Sequence, residues 1–143
     1  MTVWLVSYIV NHTTGKGREE FHMRLTFDDT KPIFMQIAEM IEDDIVNGVL
    51  KEGDQIPSTN QLVAHYKINP ATILKGFNQL VDAEIVYKKR GVGMFVAPGA
   101  YEMLRKRRIA QFQTQFVEPL LLEAKKLGMT KDEIQKMFDS YER

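Results

Sequence analysis

Gly53-Asp54-Gln55-Ile56-Pro57-Ser58 and Lys88-Lys89-Arg90-Gly91-Val92-Gly93-Met94-Phe95-Val96 bracket the stretch whose reading decides the fold. Just inside the first segment, Ser58-x-x-Gln61 has the form of a capping box. A short helix follows, carrying Leu62, Val63 and Tyr66 inward and ending near Tyr66-Lys67. Asn69-Pro70 is a second start signal, with Asn as N-cap and Pro at the first helical position. Ile73, Phe77, Leu80 and Val81 give that helix its buried stripe. Two short capped helices separated by three residues have helix-turn-helix spacing. Ile85-Val86-Tyr87 then runs out as a strand, Arg90 to Gly93 turns, and Met94-Phe95-Val96 returns as a basic hairpin. Together these pieces predict an α+β winged helix-turn-helix.

Upstream, Leu25 and Phe27 suggest a short strand or extended arm ending at Asp28-Asp29-Thr30. Pro32 suits the first turn of a helix. Ile33, Ile37, Ile41 and Ile45 recur every fourth residue, joined by Phe34, Ala38 and Val49, and Gly48 marks the end of that amphipathic helix. Leu50 to Ile56 reads as a connector turning at Gly53-Asp54. Downstream, Pro98-Gly99 closes the domain. A long helical pattern from Tyr101 to Leu127 follows, with Ile109, Phe112, Phe116, Leu120, Ala124 and Leu127 at spacings of three and four. Pro119 lies inside it, and its ring should clash with the Gln115 carbonyl, predicting a kink or break. Gly128 ends that helix, and Thr130-x-x-Glu133 caps another carrying Ile134, Met137 and Phe138 to Tyr141. The expected organisation is a DNA-binding domain over 23–98 and a two-helix, all-helical dimerisation tail over 99–143.

Residues 1–22 fit neither part. Met1 to Val10 is apolar but too short to span a membrane, and it lacks the basic start and cleavage site of a signal peptide. Two readings stand side by side: translation beginning at Met23, after Gly17-Arg18-Glu19-Glu20 whose codons can resemble a ribosome-binding site, or an authentic N-terminal strand or arm. With 143 residues, the chain holds one domain and an appendage. Its 44% hydrophobic and 27% charged content is that of an ordered globular protein. Zero cysteines exclude disulfides and thiolate metal sites, and fit a cytoplasmic protein. Lys+Arg and Asp+Glu balance at 19 each, so any attraction to nucleic acid must come from local charge. From Tyr66 to Val96 the charges are Lys67, Lys75, Lys88, Lys89 and Arg90 against Asp82 and Glu84, with the acids concentrated upstream.

Near the start of the second helix, Asn69, Ala71, Thr72 and Lys75 are the short polar and small side chains that reach base edges in a major groove. Singly, each has a plainer explanation: Asn69 as a cap, Thr72 as a first-turn residue, Lys75 as a solvated charge. The hairpin behind them favours the DNA reading. At its tip Lys88, Lys89 and Arg90 stand beside glycines that let backbone approach a phosphate or a minor-groove floor. Ser58 brings helix N-terminal N–H groups suited to a phosphate, or simply a cap. Arg105-Lys106-Arg107-Arg108 is either a solvated face or a contact with flanking DNA backbone. His12, His22 and His65 have no metal-ligand spacing, and no catalytic constellation or nucleotide fingerprint is present, so neither enzyme nor cofactor is expected.

Pro32-Ile33-Phe34-x-Gln36-Ile37, Gly48-x-Leu50-x-x-Gly53-Asp54-x-Ile56-Pro57-Ser58, Asn69-Pro70-x-Thr72 and Arg90-Gly91-x-Gly93-x-Phe95-Val96 come in order and at family spacing. Over about Leu25 to Ala97 the chain resembles the GntR family of bacterial transcription regulators. The short helical tail and the Asn-Pro helix start resemble the YtrA subfamily. The resemblance implies a homodimer joined through its C-terminal helices, double-stranded DNA as partner, and control of nearby transporter genes. By position it implies a DNA-facing set of Ser58, Asn60, Asn69, Ala71, Thr72, Lys75, Arg90 and Gly91, to which the hairpin reading adds Lys89. Asn60 stands where the family often has Arg, Ala71 where YtrA-like members often have Asn, and Glu84 where a glycine usually follows the recognition helix. A left-handed backbone at Glu84 would cost roughly 1 kcal/mol.

The expected function is a homodimeric repressor binding an inverted-repeat operator. Phe112, Phe116, Leu120, Leu127, Met137 and Phe138 should form the dimer core. So short a tail encloses no ligand pocket, so an effector would sit at the dimer interface or not exist. The rival reading is a protein-interaction adaptor built on the same fold, which would show an exposed apolar patch where Thr72, Lys75 and Arg90 stand.

Overall fold

A computed structural model describes residues 27–141. The apolar run at Met1, the alternative start at Met23 and Leu25 therefore lie outside the described residues. Helix α1 (Ile33–Val46) begins directly after Pro32, one residue later than the sequence suggests, because Pro32 keeps an extended ψ and serves as the cap position. The lead-in is closed by Gln36. Its buried side-chain amide donates to the carbonyls of Asp28 (2.7 Å) and Lys31 (2.8 Å), and its oxygen accepts the Asp28 N–H (3.1 Å). Ile37, Ala38, Met40, Ile41 and Ile45 are buried. The two ends of the expected stripe are not: Ile33 is exposed in the first turn, and Val49 falls beyond the left-handed Gly48 that turns the chain out of the helix.

Helix α2 (Thr59–Tyr66) carries the full capping box, with Ser58 Oγ accepting the Gln61 N–H (3.1 Å) and Gln61 Oε1 accepting the Ser58 N–H (2.9 Å). Lys67 ends it in the left-handed region, where its N–H still reaches the Val63 carbonyl. Helix α3 (Pro70–Asp82) starts at the Asn69 cap, whose Oδ1 accepts the Ala71 N–H at 2.9 Å. It lies across α1 so closely that a Cβ on Gly76 would sit 2.6 Å from the Phe34 carbonyl oxygen, and only glycine permits that approach. Ile73, Phe77 and Leu80 pack beneath it with Leu62.

The chain leaves α3 through a double hydrogen bond, Glu84 N–H to Val81 (2.9 Å) and Ile85 N–H to Leu80 (3.0 Å), a Schellman closure. That closure needs a left-handed residue, and Glu84 supplies it at φ 59°. Strands β1 (Val86–Lys89) and β2 (Gly93–Val96) then form the hairpin, pairing Val86 with Val96 and Lys89 with Gly93. The stretch read as a connector also joins it. Gly53 N–H reaches the Val96 carbonyl, Val96 N–H that of Asp54, and Ile56 N–H that of Met94, each at 2.9 Å, around a bridge between Gln55 and Phe95.

Helix α4 (Ala100–Phe112) begins inside the same core, with Ala100 and Leu104 fully buried. It passes without a stop through a π-helical turn (Gln113–Val117) into α5 (Glu118–Lys126). The break expected at Pro119 takes this form: the carbonyl its ring would strike, Gln115, lies within the wider turn, so the clash is relieved while the helix continues. Left-handed Gly128 closes α5, and Thr130 with Glu133 caps α6 (Lys131–Tyr141) as read from the sequence. The architecture is α+β: a winged helix-turn-helix followed by a helical tail. Among the described residues, no helix is long and apolar enough to cross a membrane.

Replacing Glu84 with Gly relieves the left-handed strain and should raise stability by about 1 kcal/mol. The check is a urea titration, with a higher midpoint at unchanged slope expected.

Candidate nucleic-acid interface

The burial of Ile73, Gly76, Phe77 and Leu80 turns the opposite side of α3 to solvent. Ala71, Leu74, Lys75 and Asn78 recur there at helical spacing, and with Phe34 of α1 they line a shallow open groove. Thr72 sits at the edge of this face and is half-buried. Asn69 is exposed at the helix start, but its oxygen already caps Ala71, so pairing with an adenine edge must use the second lone pair of that oxygen. Lys75 is not a free solvated charge: its Nζ rests 4.2 Å from the Phe34 ring centroid. Lifting it onto DNA gives up a cation–π contact of about 0.5–1 kcal/mol. Ser58 and Asn60 are exposed in the lead-in and first turn of α2, with the Ser58 hydroxyl engaged in its cap.

In the wing, Val86 and Val96 point into the core, so the pleat turns Tyr87 and Phe95 to the other face. Their rings stack at 5.8 Å. Lys89 lays its Nζ 4.6 Å over Phe95, which holds its charge on the sheet face rather than at the tip. Arg90 and left-handed Gly91 form the tip itself, both exposed.

Sequence reasoning passed over Leu74, an apolar side chain on the recognition face that is 43% exposed. Its spacing of three and four from Ala71 and Asn78 would have found it, because it lies off the Ile73–Phe77–Leu80 stripe. Gln55, which reaches the wing tip from the other edge of β2, was passed over too, and no local pattern marks it.

A profile of the gntR family of bacterial regulatory proteins matches residues 34–96, from α1 to the end of the wing. A GntR family transcriptional regulator from Listeria monocytogenes has a similar structure, with a TM-score of 0.64 and 34% identity, covering 81% of this chain and 100% of that one. The chain belongs to the GntR family. Among curated relatives, the HTH-type transcriptional regulator YhcF of Bacillus subtilis is 32% identical over 76% of this chain and 88% of its own length. The HTH-type transcriptional repressor YtrA of the same organism is 26% identical over 76% of this chain and 80% of its own. As a GntR-family regulator the protein is a DNA-binding transcription factor and not an enzyme.

The charges of this GntR domain are sorted by an ion-pair clamp. Arg107 Nη2 lies 2.7 Å from Glu42 and Arg108 Nη2 lies 2.6 Å from Asp43, tying α4 to the end of α1. Half of the basic run in α4 is thus neither a solvated face nor a ready DNA contact. Beside the clamp, Asp44 is buried, and its Oδ2 has no hydrogen-bond partner among the described residues. Burial, with the charge of Asp43 adding to it, pushes the Asp44 carboxyl up from 3.8 to about 7. Between those values the folded state binds the extra proton, so stability is highest below the lower value and falls as pH rises through the upper one. Asp44→Asn should abolish that fall, leaving stability flat between pH 4 and 7 in denaturant titrations and raising it above wild type at pH 8.

Proposed function

We propose that the protein is a homodimeric repressor of the YtrA-like kind, binding an inverted-repeat operator with half-sites about one helical turn apart. The observation that carries this reading is the solvent-facing side of α3, where Ala71, Leu74, Lys75 and Asn78 stand free of the core behind an Asn-Pro cap, followed by a basic wing. Ala71 and Leu74 suit thymine methyl groups, Asn78 and Lys75 suit base edges or phosphate, and Arg90 suits the adjoining minor groove. Ser58, Asn60, Asn69, Thr72, Lys89 and Gly91 complete the proposed contact set from the helix starts and the wing. Similarity to the YtrA repressor along most of its length supports the subfamily and the repressing sense.

The tail supports dimerisation. Phe112 is 56% and Leu127 67% exposed in the single chain, and Leu120, Met137 and Phe138 are also exposed, while Phe116 is half-buried. Phe112 and Phe116 pair their rings at 5.6 Å. Leu121 and Leu122, outside the stripe read from the sequence, are exposed as well and widen the apolar surface a second copy would cover. A surface this apolar on a lone chain marks an interface.

Titration of labelled DNA from upstream of the protein's own gene, at two salt concentrations, tests the operator reading. Tight binding to that duplex over a scrambled one is expected, with Lys75→Ala and Arg90→Ala each weakening it and lowering the salt slope by about 1. Failure to bind any duplex at low salt would sink it. For the dimer, the Phe112→Gln/Phe116→Gln variant should sediment as a folded monomer, and a fully dimeric variant would remove these residues from the interface.

A further inference from the structure

We propose that Gln55 is a positioning residue that holds the wing tip in place for DNA, a role resting on the reading of Arg90 and Gly91 as DNA contacts. A two-stranded hairpin is marginally stable alone. The tip here is looser still, because Gly91 (φ 76°) and Gly93 (φ 142°) flank Val92. Within the hairpin, the turn is closed by the Val92 N–H donating to the Lys89 carbonyl at 3.0 Å. The Val92 carbonyl is engaged from elsewhere: Gln55 Nε2, 37 residues earlier in the chain, donates to it at 3.0 Å.

Three features make this contact a strut. Gln55 is held opposite Phe95 by the bridge, with the Ile56 N–H on the Met94 carbonyl, so its backbone is fixed against the same strand it supports. Its amide group occupies the space that a Cβ on residue 93 would need, so the side chain and Gly93 are fitted to each other. Three residues on lies Ser58, the cap of α2, so one short segment ties the wing tip to the start of the helix-turn-helix. The chemistry requires a donor. A carboxylate of the same shape cannot donate to the Val92 carbonyl and would repel it, so Gln55→Glu removes the strut at constant volume.

Gln55 is exposed, so the global fold does not depend on it, and a lost hydrogen bond of this kind amounts to roughly a three- to tenfold loss in affinity. The experiment has two arms. In NMR amide-exchange measurements without DNA, Gln55→Glu and Gln55→Ala should speed exchange of the Val92 amide while leaving that of Leu80 and Ile41 unchanged. Unaltered exchange at Val92 overturns the positioning role, whatever the protein does with DNA. In binding titrations on the operator duplex, Gln55→Ala should weaken binding and flatten the salt slope in wild type, yet add nothing in an Arg90→Ala background. Additive losses, or a weakened affinity with the wild-type slope, overturn it, since a residue acting only on the fold would give those. A wild-type protein that binds no duplex overturns the DNA reading itself, while the exchange arm still decides whether Gln55 fixes the tip.

Discussion

The exposed face of α3 depends on how closely that helix lies against α1. The contact is backbone to backbone at its tightest point, where Gly76 faces the Phe34 carbonyl oxygen and leaves no room for a methyl group. Because α3 is seated this deeply, Ile73, Phe77 and Leu80 are sealed and the opposite side of the helix is free of the core. The same approach brings Phe34 beneath Lys75, giving the lysine a resting place on the ring. A side chain at position 76 would lift the helix, and with it Ala71, Leu74, Lys75 and Asn78.

Charge explains how a neutral chain presents a basic surface. Glu42 and Asp43 at the end of α1 take up Arg107 and Arg108, the very residues that would otherwise spread positive charge along α4. The cluster is costly on its acidic side, since Asp44 is buried next to it with its carboxyl pushed toward neutrality. The wing stays exposed and basic at Lys88, Lys89 and Arg90, as do Arg105 and Lys106 at the start of α4. Net charge was therefore a poor guide, and local distribution a better one.

The sequence made the boundaries of α2, α3 and α6 legible because each is written in a few adjacent residues: Ser58 with Gln61, Asn69 with Pro70, Thr130 with Glu133. Glu84 was legible only through the family resemblance, as a non-glycine where a glycine usually follows the recognition helix, and it adopts the left-handed conformation. Long-range contacts were not legible. Gln55 and Val92 are far apart in the chain, as are Arg107 and Glu42, and neither pair leaves a periodic trace. Gln36 stands in the motif that opens α1, but its work in closing the lead-in depends on carbonyls whose direction only the folded backbone defines. The stripe in the tail was legible in composition, and the turn that sets its phase was not.

That last point follows from the π turn at Gln113–Val117. Eight strictly α-helical steps from Phe112 to Leu120 turn through about 800°, which leaves those two side chains about 80° apart. A π turn holds one residue more than the α turn it replaces, so everything downstream is out of phase by about 100°. That lag nearly cancels the drift, so Leu120 returns to within about 20° of Phe112 and the apolar side chains on either side of the turn share one face. A body docked there meets one straight strip rather than a seam that winds away around the helix.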